Sequence, residues 1–279
     1  MAWPFTPLVT YLSRSVPKVT AAFLNSLQAA INAVARPMYG SRIDCRIGSL
    51  NGSSLSLQYA PAMILDSATS QYVFVEPSDV VSVTVANLLP TAGSWPASTW
   101  LYVYLTSTNA VPSIVVREDG PNRTPFSDGV PFGLFGITSG STPGECFRYL
   151  GCFRTDGSNQ IVPFSSVNGK FDWLTPIYVL SSASGSTSFA SVDVSAAVPG
   201  TALRARYQVA LTDDGSVINL VRLRPQGVSY FGWSVCDIKN GLVAVKATEP
   251  VVVPDHNLEW RTAAAHGSVD IAAHGFEEW

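Results

Sequence analysis

The sequence predicts a mainly β protein: an N-terminal arm and short helix, then two antiparallel β-sandwich or jelly-roll-like domains. Three observations predict this. From residue 41 onward, short runs rich in Val, Ile, Tyr, Phe and Thr recur between clusters of Gly, Pro, Asn, Asp or Ser. Many runs alternate with period two; in TWLYVYLT, Leu101, Val103 and Leu105 oppose Tyr102 and Tyr104. Helical and strand patterns do not alternate, which sets α/β enzyme folds aside.

The elements follow in chain order. Residues 1–17 carry Pro4, Pro7 and Pro17, so no regular helix runs through them. Trp3, Phe5, Leu8 and Tyr11 need a surface to lie on, and the segment reads as an extended arm docked on a neighbour. In KVTAAFLNSLQAAINAVARP, Thr20 is a good N-cap, Val19 can staple to Leu24, and Pro37 stops the helix. Ala21 to Ala35 spans about 22 Å. Leu24, Leu27, Ile31 and Val34 take the a and d positions of two heptads, which suits packing on the protein's own sheet or a short self-associating bundle. The prolines and glycine around this helix detach it and favour the bundle. Thr175-Pro176 divides two strand-rich blocks, giving an arm and helix (1–40), a first β domain (41–174) and a second (175–279). Asp156-Gly157 and Asp213-Asp214-Gly215 read as hairpin turns, because glycine adopts positive φ without steric cost.

Composition narrows the function. The chain has 279 residues, 47% hydrophobic and only 13% charged. An ordinary domain is about 25% charged, so other subunits are expected to cover part of its apolar surface. A β protein solvated by Ser, Thr, Asn and Gly explains the same figures. The net charge is −3 and no run of Lys or Arg occurs, which argues against nucleic acid. Arg204, Arg206, Arg222 and Arg224 form the densest basic group, a modest patch at most. No stretch of about 18 apolar residues spans a membrane, and MAWPFTPLVTYL lacks the basic start of a secretory signal. Cys45, Cys146, Cys152 and Cys236 form no CxxC pair, so free thiols in a reducing cytoplasm are expected, with no zinc site.

Catalytic patterns are thin. There is no GxSxG, and no glycine-rich loop leads into a helix. The carboxylate pairs Asp213/Asp214, Asp255/Glu259 and Glu277/Glu278 read as solvated turn, loop and terminal groups rather than facing glycosidase acids. His266, His274 and Asp270 have metal-ligating chemistry, but two small-residue turns that carry histidine account for them. The expectation is no enzyme, no metal and no cofactor. Among the aromatics, Tyr230 and Trp233 are candidates for a glycan contact, against the more ordinary reading of half-buried cross-strand pairs.

A resemblance adds to this. Val19, Thr20, Ala21, Leu24, Asn25, Gln28 and Ile31 resemble the V-T-A-x-x-L-N-x-x-Q-x-x-I segment of tailed-bacteriophage fibre, spike and related virion proteins. TWLYVYLT followed by RYLGCFRTDGSNQIVPF is similar to a recurrent piece of the same proteins, matched by Tyr149, Leu150, Gly151, Arg154, Thr155, Asp156, Ile161 and Phe164. The family's second glycine is Asn159 here. VDVSAAVPG resembles the opening of a jelly-roll-like C-terminal domain. The resemblance implies a homotrimeric virion appendage assembled in the bacterial cytoplasm. Its helices meet on the threefold axis, and its arm is fixed to capsid, neck or baseplate proteins. A receptor-binding protein that grips host glycan is the alternative; the chain lacks the β-helix repeat of depolymerising spikes. The ribbon 148–154 has apolar residues on both faces, so both are expected to be covered, the second by a neighbouring domain or subunit of the same trimer.

Overall fold

The computed structural model describes residues 45–66, 68–69, 72–76, 78–121, 148–212, 219–229, 232–238, 244–247, 251–252, 257–265 and 267–278. The anchoring residues Trp3, Phe5, Leu8 and Tyr11 and the helix residues Leu24, Leu27, Ile31 and Val34 lie outside these, as do the turn at 213–215, Tyr230, His266 and Cys146.

The described residues are mainly strand, in four antiparallel sheets. The first stretch holds β1 (Cys45–Asn51), β2 (Ser54–Tyr59), β3 (Ala62–Leu65), β4 (Tyr72–Val75) and β5 (Val81–Thr84). Next come β6 (Trp100–Thr108), β7 (Val111–Arg117), β8 (Arg148–Arg154), β9 (Phe164–Val167) and β10 (Lys170–Ser184). The remainder are β11 (Ala190–Asp193), β12 (Arg204–Thr212), β13 (Asn219–Pro225), β14 (Trp233–Ile238), β15 (Ala244–Ala247), β16 (Val251–Val252), β17 (Asn257–Thr262) and β18 (Ser268–Glu277).

The largest sheet runs β15-β12-β18-β10-β9-β1-β2-β5, with β16 also on β12. The others are β11-β17-β13-β14, β7-β6-β8 and the hairpin β3-β4. β10 passes unbroken through residues 174 and 175, and the large sheet draws strands from both sides of that point.

The burial patterns show why these sequences make these strands. In β12, Ala205, Tyr207, Val209 and Leu211 are buried while Arg204, Arg206, Gln208 and Ala210 are not. The same period-two pattern marks β13 and β17. β6 and β8 are buried almost throughout, as their continuous apolar runs require. These two strands lie inside the molecule, while β7 beside them is exposed over its first half.

Aromatic rings join the sheets. Phe171 stacks on Phe164 at 4.5 Å and on Phe276 at 4.3 Å between ring centres, with Trp173 edge-on at 4.6 Å. Trp100 of β6 packs on Phe276 at 5.7 Å. The indole N–H groups of Trp100 and Trp173 donate to Ser195 O (2.7 Å) and Ala197 O (3.0 Å), tying down the loop after β11.

The ribbon at 148–164 turns back on itself at 156–160, as the Asp156-Gly157 signal predicts, in a short hairpin. The Asp156 N–H donates to Gln160 O, the Val162 N–H to Arg154 O, and Thr155 and Ile161 form an antiparallel bridge; β9 then leaves to pair with β1 and β10. Asp156 Oδ1 accepts the amides of Ser158 and Gln160, and the residue in the left-handed region is Asn159 (φ 63), not Gly157. Asn tolerates that conformation better than other side-chain-bearing residues.

One glycine is dictated by close approach. A Cβ on Gly275 of β18 would sit 2.0 Å from Phe171 O and 2.7 Å from the Arg206 guanidinium, which crosses β18 at this point to reach Asp172. Gly275→Ala is expected to lower unfolding free energy by about 1–3 kcal/mol through overpacking against backbone, read from denaturant midpoints.

Candidate functional site

Two polar arrangements stand out. The first is a buried node. Glu278 follows β18 and is almost fully buried. Its Oε1 accepts the Tyr149 hydroxyl (2.5 Å), the Thr201 hydroxyl (2.5 Å) and the Cys152 thiol (3.5 Å). Tyr149 and Cys152 are three apart, which on a regular strand puts them on opposite faces. A bulge in β8 solves this: Val103 pairs with Gly151 and Tyr104 with Tyr149, so Leu150 is skipped. Burial first, then the neighbouring Cys152 and Glu278, pushes the Tyr149 phenol well above its ordinary range. Burial and the Glu278 carboxylate likewise push up the Cys152 thiol. Both groups stay protonated, so Cys152 is no nucleophile.

The node also settles what covers β8. The Cys45 thiol donates to Leu150 O at 2.9 Å, Ile47 lies against Gly151, and Trp95 packs edge-on to Phe153 at 5.3 Å. Both faces are covered, as the sequence implied. The cover comes from β1, Trp95 and Glu278 of the same chain, one of the two covers, domain or subunit, that the sequence left open. Cys45 and Cys152 are buried thiols outside any disulfide.

Asp66 is buried in a similar role. Its Oδ2 accepts the Ala110 amide (2.7 Å) and Ser107 hydroxyl (2.8 Å), and its Oδ1 the amides of Ala68 and Thr69. The Ala110 amide contributes most to holding its carboxyl well below the usual range; burial opposes the shift, and Ser107 and Thr69 add to it. This carboxylate fastens the turn after β3 to the β6–β7 turn.

The second arrangement lies on the outward face of the large sheet. Arg206 Nη2 contacts Asp172 Oδ1 (2.5 Å) and Phe171 O (2.9 Å) across Gly275. His274 sits in a bulge of β18, unpaired with either neighbouring strand, and its Nε2 lies 2.7 Å from Gln208 Oε1. Tyr178 and Gln208 face the same residue, Ala272, from opposite sides.

The residues singled out from sequence scatter. Arg204 and Arg206 share the exposed side of β12, but Arg222 and Arg224 lie in the other sheet, so the four make no single patch. Arg224 pairs with Glu259 at 2.5 Å and stacks on Phe189, and Arg222 faces Arg261 in register. Asp270 accepts the Ser182 amide at 2.6 Å. Trp233 opens β14 opposite Leu223. Among the described residues no three His, Cys, Asp or Glu side chains gather as a metal site requires.

No family model matches the chain, and no curated protein matches it. A search of solved structures returns the insecticidal delta-endotoxin Cry8Ea1 of Bacillus thuringiensis, at 9% identity and a TM-score of 0.18. The match covers 88% of this chain and 55% of the toxin chain, so the chain spans about half of that protein's length. A similarity at that level carries no argument about fold or function.

Proposed function

We propose that this chain is a structural, non-enzymatic component of a tailed-phage particle: a short trimeric fibre or knob, anchored through residues 1–40 and displaying its β domains. The observation that carries the reading is that the two separated pieces of the phage-like motif are one physical unit. TWLYVYLT forms β6 and RYLGCFRT forms β8, hydrogen-bonded neighbours with Tyr104 opposite Tyr149 and Tyr102 opposite Cys152. Asn159 takes the left-handed conformation where the family carries glycine. The use of buried carboxylates agrees with a scaffold, since Asp66 and Glu278 both fasten distant segments together.

The C-terminal block we read as a jelly roll. Take β10, β11, β12, β13, β14, the interrupted pair β15/β16, β17 and β18 as strands one to eight. One sheet then runs first, eighth, third, sixth, and the other second, seventh, fourth, fifth. Two four-stranded sheets with that interleaving are what two nested Greek keys produce. The first domain we read as a further sandwich that shares β10 with it.

Mass measurement in solution is expected to give three times the chain mass, and antibody label on particles to mark a fixed site. Removing residues 1–35 should leave folded β domains that no longer join particles. A stable monomer would overturn the trimer, and incorporation of the truncated chain would overturn the anchor.

A further inference from the structure

We propose that the upper part of β10, residues 174–184, is a strap that bows off the large sheet and recloses while the rest of that sheet stays folded. The strap is a property of this sheet, independent of the particle assignment.

The two strands that meet here differ in length. β10 has 15 residues and β18 has 10, yet they pair from end to end, Lys170 with Glu277 and Ser184 with Ser268. β10 therefore carries five extra residues, about 16 Å of extended chain at roughly 3.3 Å each. They are held in three bulges. Residues 173–176 lie across from His274 alone, and Ser181 and Ser182 lie across from Asp270. Val179 falls between the Tyr178–Ala272 and Leu180–Ile271 pairs with no residue of β18 opposite. By contrast, β12 pairs along the other edge of β18 over its whole length with one irregularity.

Burial changes at the same place. Phe171 and Trp173 are buried, whereas none of residues 174–184 is. Ile177, Val179, Leu180 and Ala183 lean on the core only half-buried, and Leu174 and Tyr178 stand in solvent. Apolar burial is the main term that opposes opening, so the opposition is weak here. Support from the far side ends too. β9 pairs with β10 only as far as Trp173, and the last bond on that side among the described residues runs from the Leu174 N–H to Pro163 O at 3.1 Å. Ser182 sits in the left-handed region (φ 48), a strain that opening relieves.

Both ends are fastened, which makes the segment a strap and not a fraying end. Below it, Phe171 is stacked in the aromatic cluster and the Trp173 indole donates to Ala197 O. Above it, the Gly185 N–H donates to Gly267 O (3.1 Å) and Ser186 O accepts the Thr262 N–H (2.7 Å). A segment tied at both ends can leave its partner only if it has length to spare, and the extra residues supply it. Besides the strand ladder, one side chain closes the middle: Asp270 Oδ1 accepts the Ser182 N–H at 2.6 Å. When the strap bows out, β18 keeps β12 and presents the edge that faced residues 177–184. The two blocks of the large sheet stay joined through Lys170–Trp173.

Hydrogen exchange of the full chain, followed amide by amide, tests the strap. The amides of residues 177–184 that donate to β18 are expected to exchange about a hundredfold faster than the bonded amides of residues 205–211. Along the upper part of β18, amides that donate to β10 should exchange fast and those that donate to β12 slowly. Low concentrations of urea should leave the fast rates unchanged, because a local opening exposes little surface. Tyr178→Cys with Ala272→Cys places two thiols opposite each other in register. Oxidation of that pair should bring the strap amides down to the slow rate, and reduction should restore the fast one. Equal protection of strap and sheet in the unaltered chain would overturn the proposal. Strap exchange that rises with urea in step with residues 205–211 would overturn it as well, since the strap would then open only with the whole molecule. So would fast exchange that persists in the oxidised pair. The measurements on the unaltered chain need no substitution and decide on their own.

Discussion

Raising the pH above about 9 is expected to unfold the protein steeply, because its buried acids of high pKa are held protonated. Cys152, Tyr149, Tyr104 and Tyr207 are all pushed up, burial being the first cause in each. In the unfolded chain they titrate near the ordinary values, 9.0 for the thiol and 10.0 for the phenols. Above those values the unfolded state has released protons that the folded state retains, so it binds fewer and stability falls with rising pH. The contribution is fully present below pH 9 and declines through the alkaline range toward the raised folded values. Each group costs up to about 1.4 kcal/mol per pH unit once its unfolded form is ionised. By about pH 11 the sum is comparable to the stability of a typical domain. Denaturant midpoints against pH, with phenolate absorbance recorded in the folded baseline, check this. A flat profile to about pH 11 would contradict the buried, protonated assignment.

Glu278→Ala is expected to be the most damaging single substitution among the described side chains. It removes one acceptor shared by Tyr149, Thr201 and Cys152, which come from β8 and from the loop before β12. Buried donors left without an acceptor cost about 1–3 kcal/mol each, so a loss of about 3–5 kcal/mol is expected. Glu278→Gln keeps an acceptor oxygen of similar reach and should lose less. Chemical denaturation of the two variants separates these outcomes, and wild-type stability in Glu278→Ala would refute the role assigned to the node.

Glu278 also marks where sequence reasoning stopped. By position it paired with Glu277 as a solvated terminal group, and nothing local distinguishes the two. In the structure Glu277 is half-buried on β18 while Glu278 turns into the core. The difference comes from partners 77 and 129 residues away. The β8 bulge was hidden for the same reason, since alternation in FRYLGCFRT predicts a regular strand and the skipped Leu150 depends on pairing with β6. Local signals fared better. Alternation found β6, β12 and β13, and the two apolar faces of RYLGCF announced a strand covered on both sides. The break at Thr175-Pro176 reflects a real irregularity, the register shift between Asp172 and Ile177. The strand nevertheless continues across it, because β18 supplies a partner on both sides.

The position of β18 bears on how the protein comes to be made. Among the described residues it is the last strand in chain order, yet it lies between β10 and β12 in the interior of the largest sheet. Until it leaves the ribosome, β10 and β12 have no neighbour to zip them together, and the Phe171 side of the aromatic stack lacks Phe276. The edges of β10 and β12 that face β18 must wait open, a state prone to pairing wrongly with other nascent chains. Closure of the sheet is therefore a late, long-range event, and slow folding with early exposure to chaperones follows from the topology.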